Sequence, residues 1–572
     1  MIKYWIKSSG IYLLIAFSCQ SAPESDTESP SLFARLDSIQ TGINFINRVQ
    51  DGKDFNILKY RNFYNGGGVA IGDINGDGLS DIYFTANMGA NKLYLNLGDW
   101  QFEDITQSAG VAGSRAWSTG VTMADVNGDG YLDIYVCNSG DVQGDDKENE
   151  LFINQGDLTF KEAAATYGLN DPGSSTHASF FDYDADGDLD CYILNNSFKD
   201  PSRIELYRVE RTSRDAAGGD KLFRNDEGGF VDVSEQAGIY GSEIGFGLGV
   251  SVGDLNSDMR PDIYISNDFW ERDYLYLNQG DGTFSEELID RMTVISISSM
   301  GADLADINND GTMEVFSTDM LPGDNYRLKA ATMFDEFYVE GLKARSSYHY
   351  QILQNCLQVN NGQAQFQELG FLSGIAASDW SWGALALDLQ NDGWKDYFVC
   401  NGIYHDIMDR DFGNFISDQE SIKQVMQEKG EFDFRDFLPY LPSVPLPNYA
   451  FVNQGNLTFK NQAVELGLAE PGFSNGAAYG DLDNDGDLDL VVNNVNMPSF
   501  VYRNLTDSLT DNHYLKVTLE GKAPNHWGIG AEVRIFYQEK MQVAQQYQSR
   551  GFQSAVEPRI TFGVGTSQKI DS

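Results

Sequence analysis

Positive charge is the first thing this chain is short of. Its 39 Lys and Arg stand against 85 Asp and Glu, a formal net charge of −46 over 572 residues. So acidic a chain excludes a nucleic-acid backbone or an anionic membrane surface as partner. Cysteine is sparse, with five residues in all. No Cys-x-x-Cys or Cys/His spacing of the kind that holds zinc occurs. Cys137, Cys191 and Cys400 lie in equivalent apolar runs, "DIYVC", "DCYIL" and "DYFVC". With Cys356 they read as small buried thiols on strands, not as disulfides. Gly-x-Ser-x-Gly, His-Glu-x-x-His and P-loop sequences are also missing.

What is present excludes wholesale disorder. Hydrophobic residues make up 41% and aromatics 13%, with 58 Gly and only 14 Pro. That mixture favours many short strands joined by tight turns. In such a chain the surplus carboxylates are best explained as ligands that a metal neutralises.

The N-terminus carries an export pattern. Lys3 and Lys7 precede the short apolar run "IYLLIAF", Ile11 to Phe17, which is too short to span a bilayer. "AFSC", ending at Cys19, resembles the lipobox of bacterial lipoproteins, although Ala16 stands where Leu is usual. The resemblance implies a signal segment over 1–19, lipidation of Cys19, and residues 20–31 as a flexible tether. The expected destination is the outer membrane or cell surface of a Gram-negative bacterium, with a periplasmic or secreted protein as the alternative.

A nine-residue acidic pattern recurs seven times at spacings of 52 to 93 residues. The first copy, "DINGDGLSD", offers Asp73, Asn75, Asp77, Leu79 and Asp81. The second offers Asp125, Asn127, Asp129, Tyr131 and Asp133, and the third Asp182, Asp184, Asp186, Asp188 and Asp190. In the fourth the set is Asp254, Asn256, Asp258 and Asp262; in the fifth, Asp306, Asn308, Asp310, Thr312 and Glu314. The sixth has Asp388, Gln390, Asp392, Trp394 and Asp396, and the seventh Asp481, Asp483, Asp485, Asp487 and Asp489.

Positions 1, 3 and 5 supply side-chain oxygens, position 7 a backbone carbonyl, and position 9 a closing carboxylate. Oxygen ligands without His or Cys select Ca²⁺. Glycine at position 6 permits the sharp turn, and the apolar residue at position 2 pins one side of the loop into the core. Up to seven ions are expected. The fourth loop, with Met259 for glycine and Arg260 at position 7, is expected to bind weakly or not at all. Gln390 should weaken the sixth, while the third and seventh should bind best.

Each loop joins two apolar segments, and two further elements follow. The third ends in Asn-x-Gly turn chemistry, as in "KLYLNLG" and "ELFINQG". The fourth, as in "FEDITQSAGV", places Gly eight residues after Phe. Seven four-stranded units predict an all-β fold, a seven-bladed β-propeller over residues 32–510. The seventh unit lacks its fourth element after "FVYRN". "FARLDSIQTGI" from Phe33 matches that element, so the N-terminal strand is expected to complete the last blade.

These motifs resemble the FG-GAP/VCBS repeat proteins, whose blades are similar to those of integrin α-subunit propellers. The resemblance implies structural calcium loops on one face and ligands approaching elsewhere. Residues 511–572, with "HYLKVTLEGKAPNHWGIGAEVRIF" and "RITFGVGTSQKIDS", resemble the start of an ASPIC/UnbV domain. That domain accompanies such propellers in cartilage acidic protein and in bacterial surface proteins. Strands are expected around Leu515, Val517 and Leu519 and around Val533, Ile535 and Tyr537. The chain stops where that family continues, so a partial domain is expected.

Two insertions, about 322–352 and 403–447, break the rhythm and are expected to cap one face together. His405 beside Asp406, Asp409 and Asp411 offers acid–base chemistry, against the plainer reading of a surface histidine near acids. Arg327, Lys329, Lys343 and Arg345 suit either an acidic glycan or surface ion pairs. No catalytic residue is assigned. The expected function is a calcium-binding adhesion or scaffold protein for a glycan or protein ligand, touching membrane only through a lipid anchor. The alternative is a polysaccharide lyase or hydrolase on the same scaffold.

Overall fold

A computed structural model describes residues 31–572, except 141–143, 145, 200–206, 208, 333–336, 419, 421 and 424–432. The export segment, Cys19 and nearly all of the tether lie outside the described residues. Seven four-stranded antiparallel sheets follow one another around a ring. Blade 1 is Val69–Gly72, Asp81–Phe84, Lys92–Asn96 and Phe102–Asp104, in sequence order from the centre outward. Blades 2 to 6 repeat this order, beginning at Ser118, Ser175, Gly247, Ala302 and Ser381. The innermost strands pack in a closed cycle, blade 7 returning to blade 1.

Blade 7 closes the ring as the sequence requires. Its strands Ser474–Gly480, Asp489–Asn494 and Phe500–Asn504 are completed by Phe33–Leu36, with Phe33 opposite Asn504 and Leu36 opposite Val501. Adding the first strand to the last blade gives it the four strands of the other six and leaves only the short outer edges of a propeller. Arg35 reinforces the join, its guanidinium 4.5 Å from the Phe500 ring and 2.7 Å from Glu470.

In five blades a glycine eight residues after the outer-strand Phe ends a short turn, helical in four of them. Gly110, Gly168, Gly238, Gly374 and Gly467 all have φ between 78° and 84°. Only glycine takes that left-handed cap without penalty. The four described cysteines are buried and free.

The strand-3 asparagines do more than turn a hairpin. Asn154 Oδ1 accepts from the Gly156 N–H at 2.9 Å, while its Nδ2 donates to Leu132 O and, in the preceding blade, to Ile74 O at 2.8 Å. Asn96, Asn278, Asn360, Asn453 and Asn504 likewise reach the position-2 carbonyl of a neighbouring blade's loop, at Leu482, Tyr183, Leu255, Ile307 and Leu389. Asn225 donates to Leu189 of its own blade.

Each such asparagine therefore fixes a turn and a blade–blade seam with one side chain. Asn154→Ala should strand three backbone groups and destabilise by about 1–3 kcal/mol. Asn225→Ala should cost measurably less. Chemical denaturation of both variants checks the ordering.

Candidate functional site

The acidic loops share one geometry. In the first, Asp73 Oδ1 accepts from the Gly76 N–H at 2.7 Å and Oδ2 from the Gly78 N–H at 2.8 Å. Asn75 Oδ1 accepts from Asp77 N and Asp77 Oδ1 from Leu79 N. Backbone donors thus aim the position 1, 3 and 5 side chains around one centre.

Position 9 has a role the sequence alone did not reveal. Both oxygens of Asp81 accept backbone N–H groups, Oδ2 from Ile74 at 3.0 Å and Oδ1 from Asn96 at 2.8 Å. The same pair recurs at Asp133, Asp190, Asp262, Asp396 and Asp489. This carboxylate ties its loop to the third strand of its blade, and each oxygen keeps a lone pair for a cation.

The donor set fits a hard divalent ion. Carboxylate oxygens of Asp182, Asp184 and Asp190 lie within 4.8 Å of one another, as do those of Asp481, Asp483 and Asp489. Asp184 Oδ1, Asp188 Oδ1, Glu314 Oε1 and Asp481 Oδ1 are buried with no hydrogen-bond partner. A bound cation would answer both the orphaned oxygens and the mutual repulsion. Burial, aided by neighbouring carboxylates, pushes Asp81, Asp133, Asp190 and Asp262 up to about 8 and Glu314 up to about 9.

The fourth loop keeps the backbone geometry without the glycine. Met259 holds φ 65° and donates its N–H to Asp254 Oδ2 at 2.8 Å. Arg260 places its guanidinium 3.1 Å from Asp258 Oδ2, an internal positive charge that the other six loops do not have at position 7. In the seventh loop, Arg503 contacts Asp483 and Asp485, and Lys516 contacts Asp481 Oδ2 at 2.9 Å.

The loop face is partly covered. Arg559 donates to Gly78 O, the His526 ring nitrogen Nε2 lies 3.2 Å from Gly128 O, and Gln545 Oε1 accepts from Asp254 N. A Cβ on Gly486 would sit 1.9 Å from the Tyr514 ring. The C-terminal strands His513–Val517, Glu532–Tyr537, Lys540–Gln545 and Ile560–Gly565 therefore form a lid over the loops.

From this lid a hairpin, Ser549–Arg550 against Ser554–Ala555, enters the central channel. Ala555 pairs with Ala70 of blade 1, and Gly551 bridges Ala302 of blade 5. Ser549 Oγ donates to Ala178 O of blade 3, and Gln553 O accepts from Val121 N of blade 2. Phe552 packs on Trp382 of blade 6 at 5.1 Å, and Glu557 accepts from Asp481 N of blade 7. Arg550 pairs with the buried Asp303 at 2.8 Å.

The opposite face is built by the insertions, which meet as expected. Arg327 grips Asp379 at 2.7 Å and Asp406 at 2.6 Å. Phe412, Phe434, Phe437 and Leu441 form a small core with Ile57 against it. The segment around Tyr60, Phe63 and Tyr64, given no role from sequence, packs Tyr60 and Phe63 on Trp117 at 5.3 and 5.4 Å.

His405 does not form an acid–base pair with Asp406. Its ring packs on Tyr404 and Tyr64, its buried Nδ1 has no partner, and burial draws its pKa down. Asp406 is taken by Arg327 and the Met408 N–H, while Asp409 caps the helix Arg410–Ser417.

Three outcomes are expected of the loops. Calcium titration by calorimetry should give fewer than seven sites, with Met259→Gly/Arg260→Gly adding one. Chelation by EDTA should lower Tm sharply. In the chelated protein the raised position-9 acids penalise folding as they ionise. Their penalty is full above about 8 and relieved as pH falls toward the ordinary carboxylate range. Metal-free Tm should therefore rise from pH 8 to pH 6, a trend that calcium flattens.

Residues 59–136, 140–193 and 254–317 match the FG-GAP-like repeat, and 521–572 match the ASPIC and UnbV family. Cartilage acidic protein 1 of Xenopus tropicalis is 30% identical over 210 residues, 36% of this chain and 29% of that protein. The human protein of that name is 30% identical over 206 residues, 36% and 28% respectively. The chain thus spans less than a third of the length of these curated relatives. Among solved structures, the V. cholerae biofilm matrix protein Bap1 aligns over 90% of this chain and 99% of its own. Its 12% identity and TM-score of 0.37 carry no functional argument. Three stretches of this seven-bladed propeller are thus similar to FG-GAP-like repeats, and its C-terminal residues are similar to the ASPIC and UnbV family.

Proposed function

We propose that this protein is an exported, calcium-clamped scaffold, lipid-anchored through Cys19, that binds a glycan or protein ligand on the cap opposite the acidic loops. The observation that carries the reading is the asymmetry of the disc. The channel and much of the loop face are taken by the chain's own C-terminal region, which leaves the cap as the more open face for a partner. Tyr326, Phe337, Tyr338 and Tyr440 are exposed there, at 74%, 88%, 66% and 52%. Exposed aromatics offer large, stiff contact area that suits sugar faces and protein anchors alike. Calcium in the loops holds the blades and takes no part in recognition. The acidic surface keeps the anchored protein off anionic lipid, so contact with membrane is through the acyl chain alone.

A glycan array and pull-down from cell-surface extract, run on the same full-length protein, identify the ligand class. Phe337→Ala/Tyr338→Ala should then weaken binding by about 2 kcal/mol, roughly 30-fold in Kd, with Tm unchanged. Turnover of any sugar bound on the array would favour the enzyme reading; unchanged affinity in the double variant would remove the cap from the binding site.

A further inference from the structure

Counting acids ranks the seventh loop beside the third, because each carries five aspartates. The structure sets them apart. In the seventh loop, protein cations already stand on three of the carboxylates that would face a metal ion.

One of these cations comes from the lid. Lys516, on the strand His513–Val517, places Nζ 2.9 Å from Asp481 Oδ2, 3.2 Å from Asn484 Oδ1 and 3.7 Å from Glu557 Oε1. An ammonium has three donors, and these three acceptors fill its shell. Asp481 is the first-position acid, and its side chain is only 1% exposed. Its Oδ2 also accepts from the Gly486 N–H, while its Oδ1 is buried with no partner. The second cation belongs to the blade. Arg503 reaches Asp483 at 3.0 Å and Asp485 at 3.2 Å, the acids of positions 3 and 5.

The other loops differ. Among the described residues, a first-position acid meets a cation elsewhere only in the first loop, where Arg559 stands 3.5 Å from Asp73 Oδ2. Beside the third loop, Arg224 pairs with Asp226 instead. The lid is suited to supply such a charge. Residues 511–572 carry seven Lys and Arg against six Asp and Glu, in a chain of net charge −46.

Asp481 is therefore shared. The oxygen it leaves to a metal ion is Oδ1, with Lys516 held on Oδ2. Like charges on the two oxygens of one buried carboxylate repel with little screening. Coupling between two bound groups is reciprocal, so an ion that Lys516 weakens must weaken the Lys516 contact by the same factor.

We propose that Lys516 and Arg503 are resident counter-cations of the seventh loop, and that calcium binding there loosens the lid through Lys516. The proposal rests on the calcium reading of the loops. It makes the seventh loop a weak site in spite of its five aspartates, and the one that couples calcium to the lid.

Trp100 supplies a local probe, because its Nε1–H donates to Asp483 Oδ2 at 2.9 Å. Terbium replaces calcium at oxygen sites and luminesces when a nearby indole is excited. The signal that the full chain loses in Trp100→Phe therefore reports the seventh loop. Lys516→Met and Arg503→Met should each tighten terbium binding at that site by about tenfold. Hydrogen exchange then reads the lid, between calcium that fills the tighter loops and calcium that saturates the seventh. Over this step the His513–Val517 amides should exchange faster in the parent and in Arg503→Met, and should not respond in Lys516→Met. Unchanged terbium affinity in both variants would overturn the proposal, as would a seventh loop that stays empty while others fill. An equal calcium response of the lid in Lys516→Met and the parent would also overturn it. Terbium at none of the loops would remove the calcium reading itself, and this proposal with it.

Discussion

The fold depends on a carboxylate taken out of water. At the ninth position of six of the seven loops an Asp is buried where a lone charge would be costly, and what makes it tolerable is two backbone N–H donors. One donor belongs to the loop's own second residue and the other to the asparagine that ends the third strand. Because Asp81 binds Ile74 and Asn96 together, it sets the loop and the loop-to-strand distance at once. That asparagine then reaches into the adjacent blade. Remove the acid and the turn, the strand placement and the blade seam all lose a common anchor. The same burial raises the acid's pKa, and neighbouring carboxylates raise it further.

The second constraint comes from the lid. A propeller channel is lined by inner strands that approach closely, and here the C-terminal hairpin fills the space they leave. A Cβ on Gly68 would stand 1.7 Å from Gln553 O, so only glycine admits the hairpin at that point. The Arg550–Asp303 pair sits in the same interior and is satisfied on both sides, the condition under which a buried ion pair is tolerated. Lid, hairpin and loops therefore interlock at these contacts, while the fourth loop stays open at Met259.

The sequence made the repeated unit legible because its chemistry is local. The oxygens of one loop, the Phe-to-Gly spacing of one helical turn and the missing strand of blade 7 are each readable within a short window. The twofold use of asparagine was less visible. "Asn-x-Gly" accounts for the turn, while the bond from Asn504 to Leu389 spans two blades and leaves no local mark. The hairpin was invisible for the same reason: Gln553 meets Val121 across more than four hundred residues. His405 shows the converse: neighbours in sequence, His405 and Asp406, turn to different partners in space.

The glycine at position 6 separates two requirements that the repeat had merged. Position 6 needs a left-handed backbone, and Met259 shows that a side chain can take it, at a strain of about 1 kcal/mol. Met259 is 92% exposed, and its loop retains the backbone N–H donations to Asp254 and Asp262. At Gly486 and Gly393 no side chain would fit, because Tyr514 and Tyr537 of the lid press against them. In the third loop, by contrast, a Cβ on Gly187 would meet nothing within 4 Å. The turn itself is therefore specified by the acids at positions 1 and 9. Glycine becomes indispensable where the lid lies closest, and the one loop that has lost it stands where the lid leaves room.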